Sequence, residues 1–555
     1  MAQPSTADKA ASDYKQGALR LSFEIVKTIC DLVDNKTIKN LRLTCRFYSQ
    51  TAILRLSRVF ISANPQNLEV FSAVASHQTL RNQVTEVIWD DATLFEGLEV
   101  PREAKDGHYP EDEISDDSED EDSDNKNQNG IDWSGTVPSW YRKACEENIL
   151  DFNQAKGQDT DRPDHAARAV QLSSHMPVTE AWAYYNRLLE QQRGVLKSEE
   201  HIHIFGKYIG SFPALRRITI TPATYGRLFN PLYETPMIRA FPQGFNSPIP
   251  RGWPVPNDSL PECPAWENTG SDWQGFRIVS SVLAQNKDLG RVTDLCINAY
   301  QLETGLNLRV FDRESNEAFQ HFEKLLARPN FKHLYLDLMV EDHDRQAKIF
   351  RNGLLKRALN NAANGKGLEH LHVGTNIDIP ESTRRAEFYV TLDTIFGSAS
   401  LSRLRHFGLS RFYVRESDLL GLLALLPHTI RTIELNLLQF MDSEGSFQSF
   451  LTQVRDTLNW ADRKPRLRPT LRISVQTGTK EDFRQIWVED DVTNFLYSGG
   501  SNPFGDDPGE PYPNNIKNGF GYIRDAFEPE YERPNVNRTT LRELGYLKPL
   551  RFSGT

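Results

Sequence analysis

Cysteine is scarce in this sequence of 555 residues, and none of the five cysteines forms a C-x-x-C pair. They are Cys30, Cys45, Cys145, Cys263 and Cys296. An odd number without close pairs argues against a disulfide framework and against the common zinc and thioredoxin-like motifs. The sequence therefore predicts reduced thiols in an intracellular protein.

Long apolar runs are also missing. No stretch of 18 apolar residues occurs, and the first 17 residues (MAQPSTADKAASDYKQG) contain no apolar core of a signal peptide. We therefore expect no membrane association and a location in the cytoplasm, the nucleus or both.

The familiar catalytic motifs are absent: there is no G-x-S-x-G, H-E-x-x-H, Walker-type phosphate loop or post-strand G-x-G-x-x-G. His201 and His203 would share one face of a strand, but no third metal ligand is recognisable near them. The most chemistry-like cluster is the turn Glu341-Asp342-His343-Asp344, which a solvated charged turn explains equally well. We expect no enzyme, no cofactor and no metal, with a hydrolase-type enzyme using residues 341–344 as the weakest alternative.

Negative charge is concentrated in one place. The net charge is −11, and residues 111–124 contain ten acidic residues and no Lys or Arg. We expect residues 98–135 to be a disordered insertion, and the near-balanced remainder argues against nucleic acid as a partner. Ser115 and Ser118 stand in an acidic context that suits an acid-directed kinase, so both are phosphorylation candidates.

One apolar pattern, φ-x-x-φ-x-φ, recurs along the chain, for example as Val84/Val87/Trp89. Copies that start at residues 292, 331, 368 and 404 are separated by 39, 37 and 36 residues, and each gap contains one helical pattern. Strand–helix alternation at a near-constant period predicts an α/β fold of the solenoid type, resembling an irregular leucine-rich-repeat array. We assign a first repeat to residues 63–97 and the main array to 136–480, with an ordinary α/β domain as the alternative.

Two further segments interrupt or follow this array. Residues 222–264 hold ten prolines and several aromatic residues, among them Trp253. These aromatic residues either anchor a partner or fix the loop to the array. Residues 481–555, rich in Gly, Pro and aromatic residues, are expected to cap the last repeat.

The N-terminal region has a different character. Residues 1–18 are polar and predicted to be disordered, whereas residues 19–62 contain three short helical patterns, the last running from Phe47 to Val59. Ser22 stands where a helix N-cap belongs. Three helices in about 40 residues form only a small core, so part of their apolar surface should remain exposed for a partner.

Leu21-Ser22-Phe23-Glu24-Ile25, Ile29, Leu32, Asp34, Ile38 and the run Leu41 to Tyr48 (LRLTCRFY) resemble the F-box family in residue type and spacing. Ser22 replaces the proline that the family prefers. Residues 59–92 and the long insertions resemble F-box proteins of filamentous fungi.

The resemblance implies a substrate adaptor that joins a Skp-type adaptor, and through it a cullin–RING ubiquitin ligase (SCF type), to an unknown protein substrate. The residues implied to contact the Skp-type adaptor are Leu21, Ser22, Glu24, Ile25, Ile29, Leu32, Ile38, Leu41, Leu43 and Cys45. The substrate-binding candidates are Arg216, Arg217, Arg405, Arg431 and Trp253. Two alternatives remain: an F-box-like scaffold that acts outside ubiquitin ligation, and a helical trio that merely caps the repeat array.

Overall fold

The structure is a computed structural model. It describes residues 21–33, 35–97, 137–155, 165–254, 263–300, 302, 304–340, 343–363, 367–377, 389–441, 444–477, 484–487, 489–504 and 517–518.

Helices occupy the N-terminal end of the chain and most of the segments between strands. The helices are α1 (Phe23–Leu32), α2 (Asn35–Thr44), α3 (Arg46–Thr51), α4 (Pro65–Ser76), α5 (Ser139–Ala155), α6 (His165–Ser173), α7 (Val178–Ser198), α8 (Glu200–Tyr208), α9 (Pro236–Arg239), α10 (Gln274–Gln285), α11 (Glu317–Leu326), α12 (His343–Arg351), α13 (Leu354–Ala363), α14 (Leu392–Ile395), α15 (Ser398–Leu401), α16 (Glu416–Ala424), α17 (Phe447–Thr457) and α18 (Glu489–Tyr497).

Most strands belong to one sheet. The strands are β1 (Arg58–Ile61), β2 (Glu86–Asp90), β3 (Arg217–Thr221), β4 (Asp294–Ile297), β5 (Leu306–Asn307), β6 (His333–Met339), β7 (His370–Thr375), β8 (His406–Ser410), β9 (Tyr413–Val414), β10 (Thr432–Asn436), β11 (Gln439–Phe440), β12 (Thr470–Thr477), β13 (Arg484–Trp487) and β14 (Lys517–Asn518). The sheet has the order β1-β2-β3-β4-β6-β7-β8-β10-β12-β13-β14, with β5 beside β6. The pairs from β1 to β12 are parallel, whereas β13 and β14 join antiparallel.

The recurring apolar pattern explains the register of the sheet. Its second and third positions lie in the strands and align across the sheet, so that Leu295 pairs with Leu334 and Leu334 with Leu371. These side chains are buried against the helices. Because successive strand residues point to opposite sides, the alternating residues form a second face, which we call the polar face. The predicted α/β class is confirmed, and the structure contains a large parallel sheet.

Three local predictions are wrong. The third N-terminal helix ends at Thr51, and Val59 belongs to strand β1, which pairs with β2. His201 and His203 lie in helix α8, where residues two apart do not share a face. The gap between the copies at 331 and 368, expected to contain one helical pattern, contains both α12 and α13, which are separated at Gly353, whose φ of 78° suits a helix end.

The proline-rich loop turns its aromatic residues inward over its described part. Tyr233, Phe245 and Trp253 are buried, and Trp253 Nε1 donates to Asp91 Oδ2 at 2.9 Å. The assignment of Trp253 as a substrate contact is therefore wrong, because its indole packs in the core. No helix in the described part of the chain is both long and apolar enough to cross a membrane.

Candidate partner-binding surfaces

The helices α1, α2 and α3 form a small unit with a core of its own. Ser22 caps α1, as predicted, because its Oγ accepts a hydrogen bond from the Ile25 amide at 3.4 Å. The buried core contains Val26, Cys30, Ile38 and Ala52. Four buried side chains stabilise such a unit only marginally. Its interior is too small to bury the other apolar side chains, which therefore remain at the surface.

Polar contacts hold the segment after α3 against the first two helices. Asn35 exchanges two hydrogen bonds with the Arg55 backbone, at 2.5 and 2.9 Å. The Arg55 guanidinium donates to the carbonyl oxygens of Asp31 and Val33 near the C-terminus of α1. Arg42 donates to the Ala52 carbonyl at 2.8 Å. These contacts fix the unit on the chain that leads into β1.

Large apolar side chains on this unit face solvent. Leu32 is 81% exposed and Leu43 is 85% exposed, while Phe23 and Ile25 are each about half exposed. Ile53, after α3, is 39% exposed. Single exposed apolar residues are ordinary, but several on one unit of three short helices make the unit a candidate protein-binding surface.

The structure sorts the predicted adaptor contacts into three groups. Ile25, Leu32, Leu43, Cys45, Ser22 and Glu24 are exposed, and Leu21, Ile29 and Leu41 are half-buried. Ile38 is fully buried, so its assignment as a contact is wrong: it packs inside the unit. Phe23 and Ile53 are exposed as well, although they were not among the predicted contacts; Ile53 was expected inside a longer third helix.

A charged ladder crosses the polar face of the first strands. Arg58 Nε lies 2.5 Å from Glu86 Oε2, and Arg217 lies between Glu86 and Asp294 at 3.9 and 3.8 Å. Asp294 Oδ1 is 3.0 Å from His333 Nδ1. Arg217 is buried by this ladder, so its assignment as a substrate contact is wrong: neighbouring carboxylates occupy its guanidinium.

Histidines continue the ladder across the next strands. The rings of His370 and His406 are stacked with centroids 3.9 Å apart, and His372 stacks on Tyr335 at 4.2 Å. Burial lowers the pKa of His372 to about 4 and that of His406 to about 3. Because the unfolded pKa is near 6.5, the neutral rings stabilise the fold above that pH, and this contribution is lost as the pH falls towards the folded values.

Gly408 provides the space for the His372 ring. The ring lies over Gly408, and its Nε2 is 2.7 Å from Ser410 Oγ. A methyl group at position 408 would overlap Nδ1 of His372. We predict that Gly408→Ala lowers the free energy of unfolding by about 2 kcal/mol, measured as a shift of the urea midpoint.

The His372→Ala background separates this overlap from any other effect of the substitution. There Gly408→Ala should cost clearly less, because the clashing ring is gone; equal costs in both backgrounds would contradict the interpretation. Gly421→Ala in α16 is the matched control, since no atom lies within 4 Å of the added methyl group. It should be neutral or stabilising by up to about 1 kcal/mol.

The other predicted sites have different outcomes. Arg216 and Arg405 are exposed, whereas Arg431 is half-buried and donates to the carbonyl oxygens of His428 and Ile430. His343 and Asp344 begin α12, while residues 341–342, Ser115 and Ser118 lie outside the described residues. Among the residues that the structure describes, no group of three or more His, Cys, Asp or Glu is placed to hold a metal ion.

Comparison with known proteins adds no assignment: no protein-family model matches the chain, and no curated protein matches it.

Proposed function

We propose that this chain is the substrate-recognition adaptor of an SCF-type cullin–RING ubiquitin ligase. In this proposal the helical unit α1–α3 is an F-box that binds a Skp-type adaptor. The strands and helices that follow form an irregular leucine-rich-repeat-like array that binds a protein substrate.

One observation carries the proposal. The unit that resembles an F-box leaves Leu32 and Leu43 more than four-fifths exposed, and nothing in the described chain covers them. Fully burying a leucine is worth about 1.5–3 kcal/mol, so these two side chains offer substantial binding free energy to a second protein.

The order of the sheet supports the second half of the proposal. From β1 to β12, the main-path strands follow one another in chain order and pair in parallel. Each strand is therefore added beside the preceding one, which is the arrangement typical of stacked strand–helix repeats. Such arrays present long surfaces for protein partners.

The test is reconstitution with purified components. The full chain, a purified Skp-type adaptor and a purified cullin–RING pair should co-elute as one complex in size-exclusion chromatography. Binding of the Skp-type adaptor without recruitment of the cullin would instead indicate a scaffold outside ubiquitin ligation. Failure to bind the Skp-type adaptor would overturn the proposal.

A further inference from the structure

The loops that lead from helices into the parallel strands lie along one edge of the sheet. Backbone hydrogen bonds join the residues just before successive strands, for example from the Arg405 amide to the Glu369 carbonyl and from the Arg431 amide to the Arg405 carbonyl. In order across the sheet, this row contains Arg216, Thr293, Lys332, Glu369, Arg405 and Arg431. Parallel topology thus gathers residues that are far apart in sequence.

This edge is strongly basic in an acidic protein. The described loops before β2, β3, β4, β6, β7, β8, β10 and β12 are residues 77–85, 209–216, 286–293, 327–332, 367–369, 402–405, 425–431 and 458–469. They contain thirteen Lys or Arg and three Asp or Glu, although the whole chain has a net charge of −11. The loops along this edge are therefore positively charged, whereas the chain as a whole is negatively charged.

Part of this charge has a structural role. Arg291, Arg328, Arg431 and Arg468 donate to carbonyl oxygens of their own or neighbouring loops. Arg328 also donates to the Asn286 carbonyl directly after α10, where a cation is favourable because the last carbonyl groups of a helix lack partners and carry partial negative charge. Because backbone carbonyl groups engage these four arginines, we do not include them in a binding surface.

The remaining cations concentrate at one end of the edge. Arg403 and Arg405 precede β8, Lys464 and Arg466 precede β12, and all four are exposed. Glu369 lies 3.8 Å from Arg405 but is also 2.8 Å from Lys332, so it does not neutralise the group. Strands β8 and β12, which follow these two pairs, are two positions apart in the sheet, a spacing of about 10 Å between the strands.

An apolar side chain lies between these two basic pairs in the order of the sheet. Leu425, in the loop before β10, is 59% exposed. We call Arg403, Arg405, Leu425, Lys464 and Arg466 the basic edge. We propose that the basic edge binds an extended acidic segment of a partner protein, with Leu425 contacting one apolar side chain of that segment.

The composition of the edge favours a protein segment over other polyanions. Single-stranded nucleic acid without sequence preference is usually held by aromatic stacking as well as charge. In loops 402–405, 425–431 and 458–469 the single aromatic residue is Trp460, which is buried. A membrane-binding surface of the amphipathic type combines its basic residues with several buried apolar side chains, whereas the basic edge offers one exposed leucine. The proposal does not depend on binding of a Skp-type adaptor.

The test is fluorescence anisotropy with the full chain and a fluorescein-labelled peptide of Asp and Glu, about ten residues long, with one central Leu. Arg403→Glu with Arg405→Glu, and Lys464→Glu with Arg466→Glu, should each raise the Kd at least about tenfold, because attraction becomes repulsion. Leu425→Asp should weaken binding of this peptide more than binding of a peptide with Gly in place of Leu.

The matched control is Lys197→Glu with Lys324→Glu, which makes the same change in charge on exposed residues of α7 and α11. It should leave the Kd within about twofold, which corresponds to less than about 0.5 kcal/mol. The proposal is overturned if the peptide does not bind, or if the control weakens binding as much as the edge variants do. Tighter binding of single-stranded RNA or of phosphatidylserine vesicles than of the peptide would overturn it too. A purified Skp-type adaptor should still bind every edge variant, which separates this test from that of the proposed function.

Discussion

Replacing both Leu32 and Leu43 by Asp is expected to abolish binding of a purified Skp-type adaptor. Each side chain is more than four-fifths exposed, and each should contribute at least about 1.5 kcal/mol when a partner buries it. Losing both contributions and burying two carboxylates should cost about 4 kcal/mol, or roughly a thousandfold in Kd. Isothermal titration calorimetry with the full chain measures this loss.

The choice of these two leucines avoids a confounding effect on folding. Leu21 is half-buried against the core of the helical unit, so a charge there would disturb the unit itself. Leu150→Asp with Leu425→Asp is the matched control, because both leucines are exposed but lie outside the unit. Unchanged adaptor binding by the Leu32/Leu43 variant would remove these side chains from the proposed interface, whatever the control shows.

The parallel sheet was predictable because the spacing of apolar residues that produces it can be read from short stretches of the sequence. A buried strand needs apolar residues at every second position, and a stacked array needs this pattern to recur at a regular spacing. The copies at 292, 331, 368 and 404 satisfy both conditions, and the strands β4, β6, β7 and β8 follow them. Edge strand β1 lacked such a signal, because its first two residues fall within the helical pattern that runs from Phe47 to Val59.

The polar face was not predictable from the same pattern. Which polar residues become neighbours depends on which strands lie side by side, and the apolar pattern does not state the order of the strands in the sheet. Arg217 was therefore assigned to a substrate, whereas the pairing of β3 with β2 and β4 places it between Glu86 and Asp294. Of the basic edge, the sequence analysis singled out Arg405 alone, because the charges of the edge are distributed over loops that are far apart along the chain.

Exposure within the helical unit was only partly predictable. Helical spacing indicates that apolar residues share a face, but not whether that face meets the unit's own core or solvent. Ile38 and Leu43 illustrate the difference, since they lie on the same helix and were assigned the same role. The structure buries Ile38 completely and leaves Leu43 exposed.

Asp91→Ala is expected to produce the largest loss of stability among the substitutions considered, about 4 kcal/mol. The Asp91 carboxylate accepts hydrogen bonds from Trp89 Nε1 at 2.7 Å, Trp253 Nε1 at 2.9 Å and the Gly275 amide at 2.9 Å. It thereby joins β2, the proline-rich loop and the start of α10. Removing it leaves three donors without their acceptor in the interior, each at a cost of about 1–3 kcal/mol.

The urea midpoint followed by tryptophan fluorescence measures this loss, with Asp151→Ala, an exposed carboxylate on α5, as the matched control. Asp91→Asn keeps one acceptor oxygen and should lose about half as much.

Burial raises the pKa of Asp91 to about 6, and the hydrogen bonds from Trp253, Gly275 and Trp89 oppose that rise. A carboxyl group whose folded pKa exceeds the unfolded value of about 3.9 stabilises the fold most at low pH and loses this contribution as the pH rises through 6. The difference in the free energy of unfolding between wild type and Asp91→Ala should therefore decrease as the pH rises from about 4 to about 6. A loss below about 1 kcal/mol, equal to that of one ordinary hydrogen bond, would show that other groups satisfy the three donors.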